Sequence, residues 1–90
     1  MARKPRKATP EALRLYVLAR DKNACVYCGK EAFTIDHVVP YDNYGPSVRG
    51  NLVTSCKSCN SHKHSSMDEK WLLIGFRHLL SKGEDLKWID

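Results

Sequence analysis

The sequence predicts a small α+β domain: two short antiparallel strands with flanking helices, held together by a four-cysteine metal clip. Three observations carry this expectation. The chain has 90 residues, and a chain that short buries only about 60% of the surface its unfolded form exposes, so its core is marginal without a staple. Four cysteines, Cys25, Cys28, Cys56 and Cys59, form two C-x-x-C pairs separated by 27 residues. Helical periodicity lies outside the pairs, and the β-branched segments lie between them.

The elements follow in order. Residues 1–8 are basic and carry no apolar pattern, so they read as a flexible arm ahead of a single domain at 9–90. Thr9 and Pro10 read as N-cap and first helical residue, with Glu11 in the first turn. Leu13, Tyr16 and Val17 then recur at helical spacing, and the helix is expected to reach about Arg20. The run Phe33 to Val39 is β-branched and aromatic and is stopped by Pro40, which predicts a strand. Residues 41–50 hold two Gly, a Pro, Asn and Asp and predict a loop. Asn51 to Thr54 predicts a second strand antiparallel to the first. A helix is expected to start in the second cysteine pair and run to about Ser65. Asp68 is a candidate cap for a last helix with an apolar stripe of Trp71, Leu72, Ile74, Leu79 and Leu80, Phe76 beside it, and Gly83 at its end. Leu86, Trp88 and Ile89 are candidates to dock on the core.

Composition excludes several classes. The hydrophobic fraction is 42% and the charged fraction 28%, an ordinary globular balance. No apolar run approaches the roughly 20 residues that span a bilayer, and no apolar segment of signal-peptide type follows the basic start. The expected setting is intracellular, where thiols stay reduced. Charge is uneven: residues 1–22 carry seven basic and two acidic groups, and the remainder is balanced. With a pI near 9.2, a basic arm suits a polyanion such as nucleic acid, although a merely solvated tail has the same composition.

Two C-x-x-C knuckles bring four thiolates to one ion, each pair closing half of a tetrahedral shell at about 2.3 Å per bond. A closed shell leaves no position for substrate, so this zinc is expected to be structural. Two disulfides, or a redox-active pair, are the competing explanations. Between and after the knuckles lie Asp36-His37, Asn51 and Asn60, followed by His62, Lys63 and His64. Each has an ordinary explanation as a strand-end carboxylate, a structural histidine, a turn residue or an exposed helix position. Their order favours convergence. A strand–loop–strand–helix unit brings the Asp36-His37 end toward the helix face of Asn60 and His64, which are four residues apart. A carboxylate, an amide oxygen and imidazoles on a basic protein describe a phosphodiesterase site for a hard cation.

The segments Arg20-Asp21, Cys25-Val-Tyr-Cys28-Gly29, Ile35-Asp36-His37-Val38-Val39-Pro40, Gly50-Asn51-Leu52-Val53 and Cys56-Lys-Ser-Cys59-Asn60-Ser-His-Lys63 resemble, in order and spacing, the zinc-bearing branch of the HNH endonucleases, with Asn60 in the third lettered position. The resemblance spans residues 20–64 and implies a ββα-metal finger. It implies that His37 is the general base, that Asp36 and Asn60 hold a divalent ion, and that Asn51 braces the loop and orients the base. It further implies that His64 falls where some members supply another metal ligand, that Lys63 faces a phosphate, and that the four cysteines hold zinc. The chain has a single Gly50 where many members carry a Gly-Gly pair, so the loop geometry departs from theirs. The implied ion is Mg²⁺ or Mn²⁺, with Ni²⁺ or Zn²⁺ acceptable if His64 ligates. The implied partner is double-stranded DNA, met by a monomer, encoded by a bacterium or phage and nicking one strand at a time with loose sequence preference. Arg3, Lys4, Arg6 and Lys7 are the expected backbone contacts of the arm. The alternatives are a non-catalytic zinc-stapled DNA-binding module and a protein-interaction domain using the Trp71–Leu80 stripe.

Overall fold

The computed structural model describes residues 9–89; the arm with Arg3, Lys4, Arg6 and Lys7 lies outside the described residues. The order is α1 (Glu11–Arg20), β1 (Ile35–His37), a short 3-10 turn (Tyr41–Asn43), β2 (Leu52–Thr54), α2 (Lys57–Lys63) and α3 (Glu69–Ser81). The two strands pair antiparallel, with Asp36 opposite Val53. The α+β expectation holds: two strands, three helices and a cysteine cluster form a ββα-metal arrangement.

The first strand is shorter than its β-branched run predicts. A strand persists only where it has a partner, and β2 is three residues long because Asn51 on one side and the second knuckle on the other leave the ladder. Single bonds extend the pairing at each end, Val38 N–H to the Asn51 carbonyl and Ser55 N–H to the Thr34 carbonyl. A hairpin this short is marginal alone and needs a face to pack on. Val38, Val53 and Leu79 provide that core, with Val26, Tyr27, Leu72, Phe76 and Leu86 against them. Each fully buried aliphatic side chain contributes about 1.5–3 kcal/mol.

The helix ends show how local chemistry sets boundaries. α1 begins after Pro10, which stands at the cap itself with an extended backbone, so Thr9 makes no side-chain cap bond. At α3 the Asp68 carboxylate accepts the Lys70 N–H at 3.0 Å. Gly83 follows the cap residue Lys82 at φ 74°, and the Glu84 N–H returns to the Leu79 carbonyl, a turn that favours glycine.

The buried face of α3 is narrower than its apolar residues suggest. Leu72, Gly75, Phe76 and Leu79 face inward, the i, i+3, i+4, i+7 stripe of one helix side. Gly75 packs directly on Val38: a Cβ there would lie 2.6 Å from a Val38 methyl. Ile74 and Leu80 turn outward, Leu80 being 61% exposed. In the tail, Leu86 packs on the core and the Trp88 indole N–H donates to the Gly50 carbonyl at 2.8 Å, whereas Ile89 stays exposed.

A polar clasp joins these parts. The buried Asp21 carboxylate accepts from Arg20 Nε (2.8 Å) and Nη2 (3.0 Å), from the Thr54 N–H (2.8 Å), and meets His78 Nε2 at 2.6 Å. Arg20 also reaches Glu84 and the Leu52 carbonyl. Burial alone raises the proton affinity of Asp21, but Arg20, His78 and the Thr54 N–H outweigh it and hold the group below the usual carboxylate range.

Candidate functional site: a cysteine clip and an open polar pocket

The first knuckle is a tight turn. The Gly29 N–H bonds the Cys25 carbonyl, the Cys25 N–H bonds the Lys30 carbonyl, and Gly29 takes φ 83°. The second knuckle is the start of α2, where Cys56 is the cap and its sulfur accepts the Cys59 N–H. The four sulfurs lie within 4.8 Å of one another. Cys28 Sγ and Cys56 Sγ are 3.7 Å apart. That is far beyond a disulfide of about 2.05 Å, and it matches the roughly 3.8 Å between sulfurs of a tetrahedral ion with 2.3 Å bonds. Burial opposes ionisation of Cys25, yet the backbone amides of Cys56, Cys28 and Tyr27 bring it down to about 7. Burial and the neighbouring sulfurs push the Cys59 thiol up. A cluster in which Cys25 ionises readily while burial and the neighbouring sulfurs resist a charge on Cys59 is a donor set that a dication relieves. The cluster fits a structural zinc.

The pocket lies beside this clip. Ile35, Asp36 and His37 of β1, Asp42 of the 3-10 turn, Asn60 of α2, and His64 and Ser65 line an open cavity of about 350 Å³. Asp36 Oδ2 accepts from the Tyr27 hydroxyl at 3.0 Å and pairs with Lys63 Nζ at 3.2 Å. Burial raises its pKa, and Lys63 and Tyr27 pull it only partly back. Tyr27 itself is kept protonated by burial and by the facing carboxylate, so it remains a donor.

His37 Nε2 is 2.8 Å from Ser47 Oγ, and the imidazole stands edge-on to Tyr41 with centroids 5.9 Å apart. Asn51 is fully buried. Its Oδ1 accepts the Val39 N–H at 2.8 Å, and its Nδ2 donates to the carbonyls of Val39 (3.1 Å) and Pro46 (3.0 Å). The side chain thus acts as a short strand segment that ties the loop to the end of β1. Gly45 sits in the crook of this clamp, where any Cβ would collide with the Val39 carbonyl and the Asn51 amide.

Asn60 follows Cys59 directly on α2. Its Oδ1 is buried and has no hydrogen-bond partner among the described residues, a condition that costs about 1–3 kcal/mol unless something fills it. His64 lines the same pocket but leaves the helix at φ 48°. Its Nδ1 accepts the Ser65 N–H at 2.9 Å, so Nε2 is the nitrogen left to ligate. His62 is exposed on α2 and is not among the lining residues.

Lys63 differs from expectation. It is 1% exposed, with Nζ donating to the His37 carbonyl at 2.8 Å and pairing with Asp36. The last turn of α2 points its side chain under β1, and a buried ammonium takes the nearest carboxylate and carbonyl. It holds β1 instead of facing a phosphate. The sequence reading also passed over Asp42, whose Oδ2 accepts from Ser65 Oγ at 2.9 Å in the pocket wall, and Tyr27 and Ser47. Their contacts cross 9 or more residues, and no periodicity marks such pairs.

A two-stranded hairpin and helix closed by a cysteine clip, with a carboxylate, an imidazole and a buried amide oxygen in one open pocket, define a ββα-metal protein. The family model described as HNH endonuclease matches residues 25–66, from the first cysteine to the end of the pocket, and over that segment the chain is similar to the HNH endonucleases. The family is generally one of nucleases acting on DNA. No curated protein matches the chain. Among the described residues, no helix is long and apolar enough to cross a membrane.

Proposed function

We propose that the protein is a divalent-cation-dependent DNA endonuclease that hydrolyses one phosphodiester bond per encounter, with loose sequence preference. The observation that carries this reading is the buried, unpartnered Oδ1 of Asn60 in the same pocket as Asp36 and His37. An oxygen left without a donor suits a hard cation, and Asp36 supplies the charge beside it. His64 Nε2 is the candidate for a further bond. When bound, the ion supplies positive charge at the phosphate oxygens; Mg²⁺ and Mn²⁺ suit the oxygen donors, and Ni²⁺ or Zn²⁺ would suit a shell joined by His64.

The chain's own groups do the remainder. Neutral His37 takes a proton from the attacking water, whose oxygen forms the new bond to phosphorus while the bond to the 3′ oxygen breaks. Asn51 ties the loop after β1 to the end of the strand that carries the base, and Lys63 holds the β1 backbone by the His37 carbonyl. One Asp36-His37 pair gives one displacement, so a monomer nicks. The basic arm with Arg3, Lys4, Arg6 and Lys7 adds sequence-independent affinity for the backbone of double-stranded DNA.

The test is a plasmid time course with Mg²⁺ or Mn²⁺. Nicked circle is expected well before linear product, and His37→Ala is expected to lower the rate about 10²–10⁴-fold with zinc content and melting unchanged. A wild-type protein that binds DNA but cuts under no divalent ion would identify a non-catalytic binding module instead.

A further inference from the structure

The 3-10 turn beside the pocket closes on a residue that does not suit the position. The Gly45 N–H donates to the Pro40 carbonyl at 3.0 Å, and the Tyr44 N–H donates to the Tyr41 carbonyl at 3.0 Å. These two bonds make the Schellman closure, whose left-handed residue is usually glycine. Here Tyr44 occupies it, at φ 65°. A bulky side chain is strained in that region. The surroundings enforce it. Gly45 is wedged against the Val39 carbonyl and the Asn51 amide, and Ser65 Oγ donates to Asp42 Oδ2 at 2.9 Å, tying the turn to the pocket wall. The fold gains little in return: Tyr44 is 81% exposed, more than any other large hydrophobic residue described. Its ring therefore supports almost nothing in the core, while its backbone is held rigidly in place. Strain that the surroundings maintain without a packing gain points to a role outside folding.

Resting on the reading of this protein as one that acts on DNA, we propose that Tyr44 is a stacking platform for one nucleobase, and that it directs the protein to DNA whose bases are unpaired near the phosphate to be cut. A net charge of +5 favours a polyanion over an apolar peptide as the partner of this ring. The turn that displays Tyr44 also supplies Asp42 to the pocket lining, so a base on the ring belongs to a nucleotide close to the phosphate in the pocket. Every base has a π-face, and stacking on an aromatic ring is tolerant of sequence. The platform therefore adds affinity without adding a recognition sequence. In an intact duplex the base must first leave its neighbours, and that step costs least where a pair is mismatched or missing. Tyr44 thus turns local weakness of the duplex into tighter binding. Only a ring on a backbone that cannot swing away gains fully from such a contact, and the Schellman closure supplies that backbone.

The experiment uses full-length, zinc-loaded protein without added Mg²⁺ or Mn²⁺, so that binding is read without cleavage. The probes are a duplex oligonucleotide and the same duplex with one mismatch, each carrying 5-iodouracil at that position, which cross-links under near-ultraviolet light to an aromatic ring stacked on it. Wild type is expected to bind the mismatched duplex about five-fold or more tighter than the paired one, and the cross-linked peptide is expected to contain Tyr44. Tyr44→Gly is expected to lose both the preference and the cross-link, with a melting temperature equal to or above that of wild type. Tyr44→Asn, which accepts the left-handed backbone without a ring, is expected to behave as Gly does and serves if the Gly variant fails to fold. Tyr44→Phe and Tyr44→Trp are expected to keep the preference. A wild type that binds both duplexes equally, or Gly and Asn variants that keep the preference, would overturn the platform. So would a lower melting temperature in both, which would place the ring in the service of the fold. The two readings fail separately. A Tyr44 cross-link in a protein that cuts under no divalent ion overturns the nuclease and supports the platform. A nicking protein whose Tyr44→Gly variant still prefers the mismatch overturns the platform alone.

Discussion

Asp21 and Asp36 are carboxylates on either side of one three-residue hairpin, both mostly buried and both facing a cation, yet their proton affinities move in opposite directions. Asp21 has three side-chain N–H partners and a backbone N–H, and its charge is held below the usual carboxylate range. Asp36 has Lys63 and a tyrosine hydroxyl on one oxygen, and burial wins. The cysteine cluster belongs with Asp21, since its four donors close on one point. Asn60 Oδ1 belongs with Asp36, since it meets no donor among the described residues. Saturated polar groups hold this fold together, and polar groups left short of partners mark the place where something else binds.

The comparison can be broken most severely at the clip. Cys56→Ser removes one of four ligands, and structural zinc supplies roughly 10–16 kcal/mol of apparent binding free energy in small fingers, more than a typical domain's whole stability. The expected outcome is an unfolded or aggregated protein without metal; a cooperative, native-like melt without zinc would show that the cluster is not structural.

Neutralising the two carboxylates separates the saturated side from the open one. Asp21→Asn leaves Arg20 and His78 facing an amide in the interior, and breaking a buried pair of this kind costs about 3–5 kcal/mol. Denaturant melts are expected to show that loss, with cleavage per folded molecule preserved. Asp36→Asn is expected to lose metal-dependent cleavage and to cost less stability than Asp21→Asn, because burial already raises the proton affinity of Asp36 and the Lys63 ammonium keeps the His37 carbonyl. Equal destabilisation by both would erase the distinction.

Acid sharpens the same contrast by a smaller amount. The folded pKa of Asp21 is depressed, so its contribution is fully present above the unfolded value near 3.9 and is lost only as pH falls through its lower folded value. The folded pKa of Asp36 is raised, so the stability linked to its protonation is present below about 3.9 and is lost as pH rises through its folded value. Without added divalent ions, the melting temperature of wild type relative to Asp36→Asn is expected to rise as pH falls toward about 4. A wild type that loses ground to Asp36→Asn on acidification would mean that the sign for Asp36 is wrong.

The elements that carry this contrast are legible in the sequence, but the contrast itself is not, because partners of Asp21 come from residues 33 and 57 positions away. The knuckles, the hairpin and the three helices rest on fixed local spacings, which a sequence displays; Asp36, His37, Asn51 and Asn60 stand out through the resemblance to the HNH endonucleases, and the structure brings Asp36, His37 and Asn60 to one pocket. The strand Phe33 to Val39 came out as Ile35–His37 because its length is set by its partner and not by its own residues. Ile74 and Leu80 of α3 read as core residues although the helix buries the side that carries Gly75, and a glycine leaves no hydrophobic signal. Lys63 read as a surface cation because composition cannot show that a carboxylate and a carbonyl wait beneath it.

Cys59 closes the clip and Asn60, one peptide unit later, opens into the pocket. The α-helix turns about 100° per residue, so a single inserted residue between them would swing the amide to another side of α2 and break the site even with zinc in place. Exposed loops elsewhere tolerate changes of length at little entropic expense, since doubling a flexible loop adds only about 0.6 kcal/mol. Variation in this molecule is therefore channelled: segments away from the junction can be lengthened or exchanged to alter what is bound, whereas the step from residue 59 to residue 60 acts as a fixed gauge between the part that folds the chain and the part that acts on a substrate.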